Sequence, residues 1–167
     1  MTIKSFFRFI CVFMLILSSW FANADESEIL TPAAPKIAAS SFILMDYYTG
    51  KILAENNADI KLAPASLTKI MTVYVAFREI SSGHLNLNDL ATVSQNAWQT
   101  GGSRMFLEVN NKVTIEDLIK GIVIQSGNDA AVTLAEHIAG SESTFAEMMN
   151  QQAARLGMLN SHFEDSN

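Results

Sequence analysis

The sequence predicts an α+β fold, because a short strand-forming region precedes a longer block of helices. A run rich in β-forming residues is interrupted by Tyr47-Tyr48-Thr49-Gly50, and from Ser66 onward apolar residues recur at three- and four-residue steps. With 49% hydrophobic and 17% charged residues among 167, the composition is that of one globular domain and not of a disordered chain.

The N-terminus predicts a secretory signal peptide over residues 1–24. Lys4 and Arg8 are followed by an apolar run from Phe9 to about Leu17, and Ala22-Asn23-Ala24 supplies an A-x-A cleavage site. An uncleaved membrane anchor is the alternative, but this run is shorter than the roughly 20 residues that span a bilayer. We therefore expect an exported protein.

Removal of the signal changes what the composition implies. Cys11 is the single cysteine and leaves with it, so disulfide, thiolate and zinc–cysteine chemistry are not expected in the mature chain. Two of the 11 basic residues, Lys4 and Arg8, are lost and none of the 17 acidic ones, so the net charge moves from −6 to −8. A nucleic-acid partner is therefore not expected.

Two regions are predicted in the mature chain. Residues 25–40 read as an extended lead-in, and residues 41–167 as the folded domain. Within that domain, Ser41–Asp46 and Lys51–Glu55 flank the Gly50 turn and predict a β-hairpin.

Four helices are predicted after the hairpin. The first begins at Ser66 and ends before Gly83, and its expected buried face consists of Ile70, Val73, Tyr74, Phe77 and Ile80. Thr114-Ile115-Glu116-Asp117 resembles a capping box that leads into the apolar stretch Leu118–Ile124. Two further helices are expected from about Asp129 to before Gly140, and from about Ser143 to near Gly157.

Ser66 and Lys69 form the first candidate chemical motif, S-x-x-K. Side chains at i and i+3 share a helix face, so the Ser66 hydroxyl and the Lys69 amine can meet. Burial can lower the pKa of a lysine enough for it to take a proton from serine, and the positive end of a helix favours the developing anion. The alternative is structural, with Ser66 as an N-cap and Lys69 as a solvated first-turn residue.

A second candidate motif, Ser126-Gly127-Asn128, lies between two predicted helices. A rigid corner there would project a hydroxyl and an amide, which suits proton transfer and binding of a substrate amide. Ser94-Gln95-Asn96 also fits S-x-N, but Gly127 permits a tight turn and both flanks of the later motif are strongly helical. A plain helix–helix turn is the structural alternative.

In this order the two motifs resemble those of the penicillin-recognising serine enzymes. More narrowly, the signal peptide with "FILMDYYTGKILAENNAD", "APASLTKIMT", "GGSRMFLE" and "IVIQSGNDAAVTLAEHIAG" resembles low-molecular-mass penicillin-binding proteins that act as D-alanyl-D-alanine carboxypeptidases. The resemblance runs from about Ile37 to Asn167. It implies the penicillin-binding/β-lactamase-like (DD-peptidase) fold and a location in the periplasm or at the outer face of the cytoplasmic membrane.

The resemblance also implies roles for the motif residues. Ser66 would be the acylated nucleophile, with its backbone N–H in the oxyanion hole, and Lys69 the base that activates it. Ser126 would relay a proton to the leaving amine, and Asn128 would bind the substrate amide. Terminal D-alanine would leave a peptidoglycan stem pentapeptide, β-lactams would acylate Ser66 persistently, and no metal or organic cofactor would be needed.

One element of the pattern does not occur. A Lys-Thr-Gly strand should follow the second motif, and nothing between Asn128 and Asn167 matches it. We therefore expect this chain to be the N-terminal part of a longer protein, inactive by itself, with the remaining sheet strands and an amphipathic membrane-holding tail beyond Asn167. A related endopeptidase, a β-lactamase and an inactive peptidoglycan-binding module are the alternative functions.

Overall fold

A computed structural model describes residues 36–167, which divide into two compact units with the boundary between Ile60 and Lys61. The predicted signal peptide and most of the predicted lead-in lie outside the described residues, and those boundaries stay predictions. Within the described part of the chain, no helix combines the length and the apolar composition needed to cross a membrane.

The predicted hairpin is present in the first unit. Strand β1 (Phe42–Met45) pairs antiparallel with β2 (Ile52–Asn56), and the register shifts between Leu44 and Met45. The turn is held by Asp46, whose carboxylate accepts hydrogen bonds from the Thr49 N–H at 2.8 Å and the Thr49 hydroxyl at 2.6 Å. These bonds lower the pKa of the Asp46 carboxyl, and the bond from the Thr49 hydroxyl has the largest effect.

The second unit begins with a 3-10 turn (Ala65–Leu67) that continues into helix α1 (Thr68–Ser81). The helix forms where the sequence predicts it, but its predicted buried face is only partly right. Val73, Tyr74 and Ile80 are half-buried against the core, whereas the other two predicted residues are exposed. Ile70 is 69% exposed and Phe77 50% exposed, whereas the buried side chains are Thr68, Lys69, Met71, Thr72, Val75 and Ala76. Apolar periodicity misses this face because polar residues with hydrogen-bond partners occupy it, and small ones such as Ala76 let neighbouring helices approach.

A two-stranded sheet and two helices follow. Strand β3 (Leu90–Thr92) pairs antiparallel with β4 (Lys112–Thr114), and the short helix α2 (Gln95–Gln99) lies between them in sequence. Helix α3 (Ile115–Gln125) follows β4 directly, and its N-cap Thr114 accepts a hydrogen bond from the Asp117 N–H at 3.1 Å. The Asp117 carboxylate accepts a hydrogen bond from the Thr114 hydroxyl at 2.7 Å. The two bonds together form a variant of the predicted capping box.

Helix α4 (Asn128–Ala139) is the central element of the second unit and contacts α1, α2, α3, β3 and helix α5 (Glu142–Arg155). Both α4 and α5 lie within about two residues of their predicted bounds. Side chains from Asp129 to Ala135 are all buried, because alanines at 130, 131 and 135 allow close approach on every side. One apolar cluster joins α4 to α3 and β3, and a second joins it to α1 and α5.

Phe145 on α5 provides the first test of this packing. It is fully buried with Met71, Val75 and Met149, so Phe145→Ala should lower the free energy of unfolding by about 3–5 kcal/mol. Urea denaturation of the protein that carries this chain measures the loss. Leu159→Ala is the control, because Leu159 is 85% exposed and its truncation should change stability by no more than about 0.5 kcal/mol. Equal losses in the two variants would contradict the described core.

Candidate active site

Ser66 and Lys69 meet at the start of α1. Ser66 lies in the 3-10 turn, and Lys69 is the second residue of the helix. The Lys69 Nζ donates a hydrogen bond to the Ser66 Oγ at 3.3 Å, with the serine exposed and the lysine 5% exposed. The Ser66 hydroxyl therefore faces solvent, and the Lys69 Nζ contacts that hydroxyl from the buried side.

Burial determines the electrostatics of Lys69. Desolvation lowers the pKa of its ammonium, because the charged form loses water that the helix packing does not replace. Asp165 acts in the opposite direction through its negative charge, and the net change in the pKa is downward. A lysine shifted this way can lose its proton more readily than one in water.

The backbone around Ser66 leaves one hydrogen-bond donor without an acceptor among the described residues. Ala65 adopts φ +49, a left-handed conformation that is unusual for alanine and turns the chain directly before Ser66. The Ser66 N–H lies in the first turn, where helical N–H groups have no intrahelical acceptor, and none of the hydrogen bonds within residues 36–167 uses it. This N–H is therefore free to donate to a ligand.

The structural alternative for this motif is wrong. Ser66 does not cap the helix: the residue at the N-cap position of α1 is Leu67, and no side chain caps there. Lys69 is buried and not solvated. The 3-10 turn thus serves to bring Ser66 over Lys69.

Ser126 terminates α3 and begins the corner that leads to α4. Its backbone is left-handed at φ +54, and its side chain is partly buried. Helices α1 and α3 pack together, which brings both motifs into the same unit. Among the described residues, however, no hydrogen bond joins Ser126 to Ser66 or Lys69, so its role as proton relay stays a prediction.

Asn128 is bound to the loop that contains Gly101-Gly102-Ser103. Its side-chain Nδ2 donates to the Gly101 carbonyl at 2.7 Å, and its backbone N–H donates to the Ser103 carbonyl at 2.8 Å. These bonds hold the carboxamide in one orientation with the Oδ1 acceptor uncommitted within the part of the chain described. Such a fixed amide is suited to ligand binding.

Asp129 is the residue of this corner that sequence reasoning missed. Its fully buried carboxylate accepts from the Met105 N–H at 2.8 Å and the Leu107 N–H at 3.0 Å, and lies 3.9 Å from the Arg104 Nε. It thereby fastens the 101–107 loop to the start of α4. An acidic residue in a helix's first turn was the available signal, but that position is equally explained by the helix dipole.

The side chains of the competing motif, Ser94-Gln95-Asn96, make hydrogen bonds that stabilise the fold. The Ser94 hydroxyl caps α2 by accepting from the Ala97 N–H at 2.9 Å, and the Asn96 amide donates to Glu136 at 2.9 Å. Ser126 has no such commitment, which favours the later motif. Residues 36–167 also contain no group of three or more His, Cys, Asp or Glu side chains placed to hold a metal ion.

Comparison with known proteins identifies the class. The profile of the D-alanyl-D-alanine carboxypeptidase family matches residues 28–167, and the chain belongs to this family of serine peptidases. It is 48% identical over 140 residues to the D-alanyl-D-alanine carboxypeptidase DacC of Escherichia coli, a match that covers 80% of this chain and 35% of that protein. The chain thus spans about a third of the length of this relative.

Solved structures agree with this assignment. The D-alanyl-D-alanine carboxypeptidase DacD from Francisella tularensis matches with a TM-score of 0.78 and 42% identity, over 86% of this chain and 35% of that one. Penicillin-binding protein 5 from Haemophilus influenzae matches with a TM-score of 0.77 and 40% identity, over 81% and 40%. The predicted family and its fold are confirmed.

Gly102 tests the contact between the loop and Asn128. Its φ is +81, and a Cβ there would lie 2.7 Å from the Asn128 Nδ2, so Gly102→Ala should displace the carboxamide and cost about 1–3 kcal/mol. Gly101→Ala is the matched control, because a Cβ at Gly101 meets nothing within 4 Å. Urea denaturation and the Asn128 side-chain NH₂ resonances measure both effects. An undisturbed Asn128 resonance in Gly102→Ala would contradict the described loop.

Proposed function

We propose that the protein carrying this chain is a serine-type D-alanyl-D-alanine carboxypeptidase that works through an acyl-enzyme on Ser66. The observation that carries the proposal is the 3.3 Å contact between the Ser66 Oγ and a buried Lys69 whose pKa is lowered. A hydroxyl beside such an amine meets the requirements of an activated nucleophile. The family assignment supplies the substrate class, the D-alanyl-D-alanine terminus of peptidoglycan peptides.

In acylation, neutral Lys69 takes the proton of Ser66 while the serine oxygen attacks the carbonyl carbon between the two D-alanines. The carbonyl oxygen becomes an anion that the Ser66 N–H stabilises, together with the N-terminal end of α1. Collapse of the tetrahedral intermediate breaks the peptide bond. The leaving amine takes the proton that Lys69 accepted from Ser66, a transfer that we assign to relay through Ser126, and free D-alanine departs.

Substrate binding is assigned in part to Asn128. The Gly101 carbonyl engages its Nδ2, so the Oδ1 is the atom best placed to accept a hydrogen bond from a peptide N–H of the substrate. Water then attacks the ester on Ser66 and releases the shortened peptide. Each of these proposed steps uses groups of the protein and water, so the proposed mechanism needs no cofactor.

The family relation also supports a proposal for partners and location. Relatives act on D-alanyl-D-alanine and include proteins described as penicillin-binding, so the chain is expected to be exported and to react with β-lactams. We place the protein in the periplasm or at the outer face of the cytoplasmic membrane. A membrane-holding segment outside this chain belongs to the same proposal.

The nucleophile is tested by replacing Ser66. In the full-length protein, Ser66→Ala should abolish both D-alanine release from a D-Ala-D-Ala pentapeptide and the covalent adduct with penicillin, because both need the serine oxygen. In the protein without a substitution, peptide mass spectrometry should place the penicillin adduct on Ser66. Ser94→Ala is the control and should retain both activities. An adduct on Ser94 or Ser126 would refute the assignment.

The same assay separates the alternative functions. Cleavage of cross-linked peptide dimers without D-alanine release would indicate an endopeptidase, and rapid turnover of penicillin would indicate a β-lactamase. Peptide binding with neither release nor adduct would indicate an inactive binding module. Each of these results would replace the carboxypeptidase proposal.

The base is tested by Lys69→Arg. Acylation should fall to background although the positive charge is kept, because a guanidinium does not deprotonate in proteins. Fluorescent-penicillin labelling measures the rate, and the melting temperature reports whether the variant folds. Near-normal labelling in a folded Lys69→Arg variant would show that position 69 supplies only a charge.

A further inference from the structure

A short segment after α5 is fastened to both α1 and α5. This strap, residues 163–167, begins with two hydrogen bonds of 2.8 Å between Phe163 and the Asn150 carboxamide. Glu142 then accepts from the Ser166 N–H at 3.1 Å, the Ser166 hydroxyl at 2.6 Å and the Asn167 Nδ2 at 3.2 Å. Ser166 is fully buried, so the strap has a defined position in the unit.

The strap reaches α1 on the same helix face as the active-site lysine. The Thr72 hydroxyl donates to the Ser166 carbonyl at 2.7 Å, and Thr72 follows Lys69 by three residues. Side chains at i and i+3 lie one above the other on a helix, and both of these are buried. The Thr72 bond therefore places Ser166, the residue after Asp165, at a position one helical turn from Lys69.

Asp165 is exposed, and its carboxylate accepts only the Asn167 N–H at 3.2 Å within the described residues. Its negative charge is thus not neutralised by an ion pair there. Other charged groups lie on the elements packed against α1, but none has a resolved effect on the charge of Lys69: Glu116, Asp117 and Lys120 on α3, Asp129, Glu136 and His137 on α4, and Glu142, Glu147 and Arg155 on α5.

We propose that Asp165, held by the strap, sets the pH range in which Lys69 can activate Ser66. Asp165 acts through Lys69 and is a positioning residue, not a catalytic one. The inference rests on the proposed function, since it assigns a consequence to the base role of Lys69. It also makes a physical claim about the Lys69 amine that stands without any activity.

The sign of the effect follows from two opposed influences on the pKa of Lys69. Desolvation lowers it and the Asp165 charge raises it. Neutral lysine, the form that accepts the serine proton, accumulates as pH rises through this pKa. Removing the Asp165 charge therefore moves the acid limb of the pH–rate profile of acylation, where the rate rises with pH, to lower pH. The rate on the high-pH plateau does not rise, because a base of lower pKa is a weaker base.

The experiment is the pH dependence of penicillin acylation in the full-length protein and in Asp165→Asn. Asparagine keeps an oxygen to accept the Asn167 N–H, so the variant removes the charge and little else. Its acid limb should lie at lower pH than that of the unmodified protein, and the difference should shrink with added salt because Asp165 is exposed. Glu164→Gln is the matched control, since Glu164 is the adjacent exposed acid and has no resolved effect on Lys69.

A direct titration keeps the inference separate from the function. Lysine is labelled at ¹³Cε, and the Lys69 resonance is assigned by its absence in Lys69→Arg. The midpoint of the Lys69 titration should move to lower pH in Asp165→Asn and stay in place in Glu164→Gln. Coincident titrations of Lys69 in the unmodified protein and Asp165→Asn would overturn the inference, whether or not the protein acylates. A shifted titration in a protein that does not acylate would support the claim that Asp165 acts on the Lys69 amine, and would reject both the carboxypeptidase function and the activation of Ser66 by Lys69.

Discussion

A buried carboxylate at the start of a buried helix organises the second unit. Asp129 opens α4 and satisfies the N–H groups of Met105 and Leu107, so the 101–107 loop is fixed against the helix corner. Backbone N–H groups buried without partners would each cost about 1–3 kcal/mol, which is why one side chain can determine the path of a whole loop. The loop in turn holds Asn128 through Gly101 and Ser103.

The candidate active-site pair, Ser66 and Lys69, depends on a burial that opposes stability. Lys69 is buried on the face by which α1 joins the rest of the unit, and burial of an ammonium opposes stability. The chain tolerates this because other side chains of α1, Met71 and Val75, pack into an apolar cluster with Phe145. Burial of Lys69 therefore lowers its pKa, and the proposed role of Lys69 as a base depends on that lowered pKa.

Backbone strain is concentrated where the two motifs turn. Ala65 and Ser126 both adopt positive φ, at +49 and +54, although neither is glycine. Each costs on the order of 1 kcal/mol or more, and such conformations persist only where surrounding structure enforces them. Here one turns the chain into α1 directly before Ser66, and the other turns it from α3 toward α4. Both candidate serines therefore stand at enforced corners, as preorganised sites require.

Local signals in the sequence determined the elements: the hairpin around Gly50, the Thr114 cap of α3, the ends of α4 and α5, and the two motifs that place the chain in its family. These depend on interactions between residues a few positions apart, which a sequence displays directly. Tertiary structure alone decided which face of α1 is buried, that Asp129 binds a loop 22 and 24 residues away, and that Asp165 acts on Lys69. Those outcomes depend on which elements meet in space, because hydrogen bonds, desolvation and charge act over distance in the fold and not along the chain.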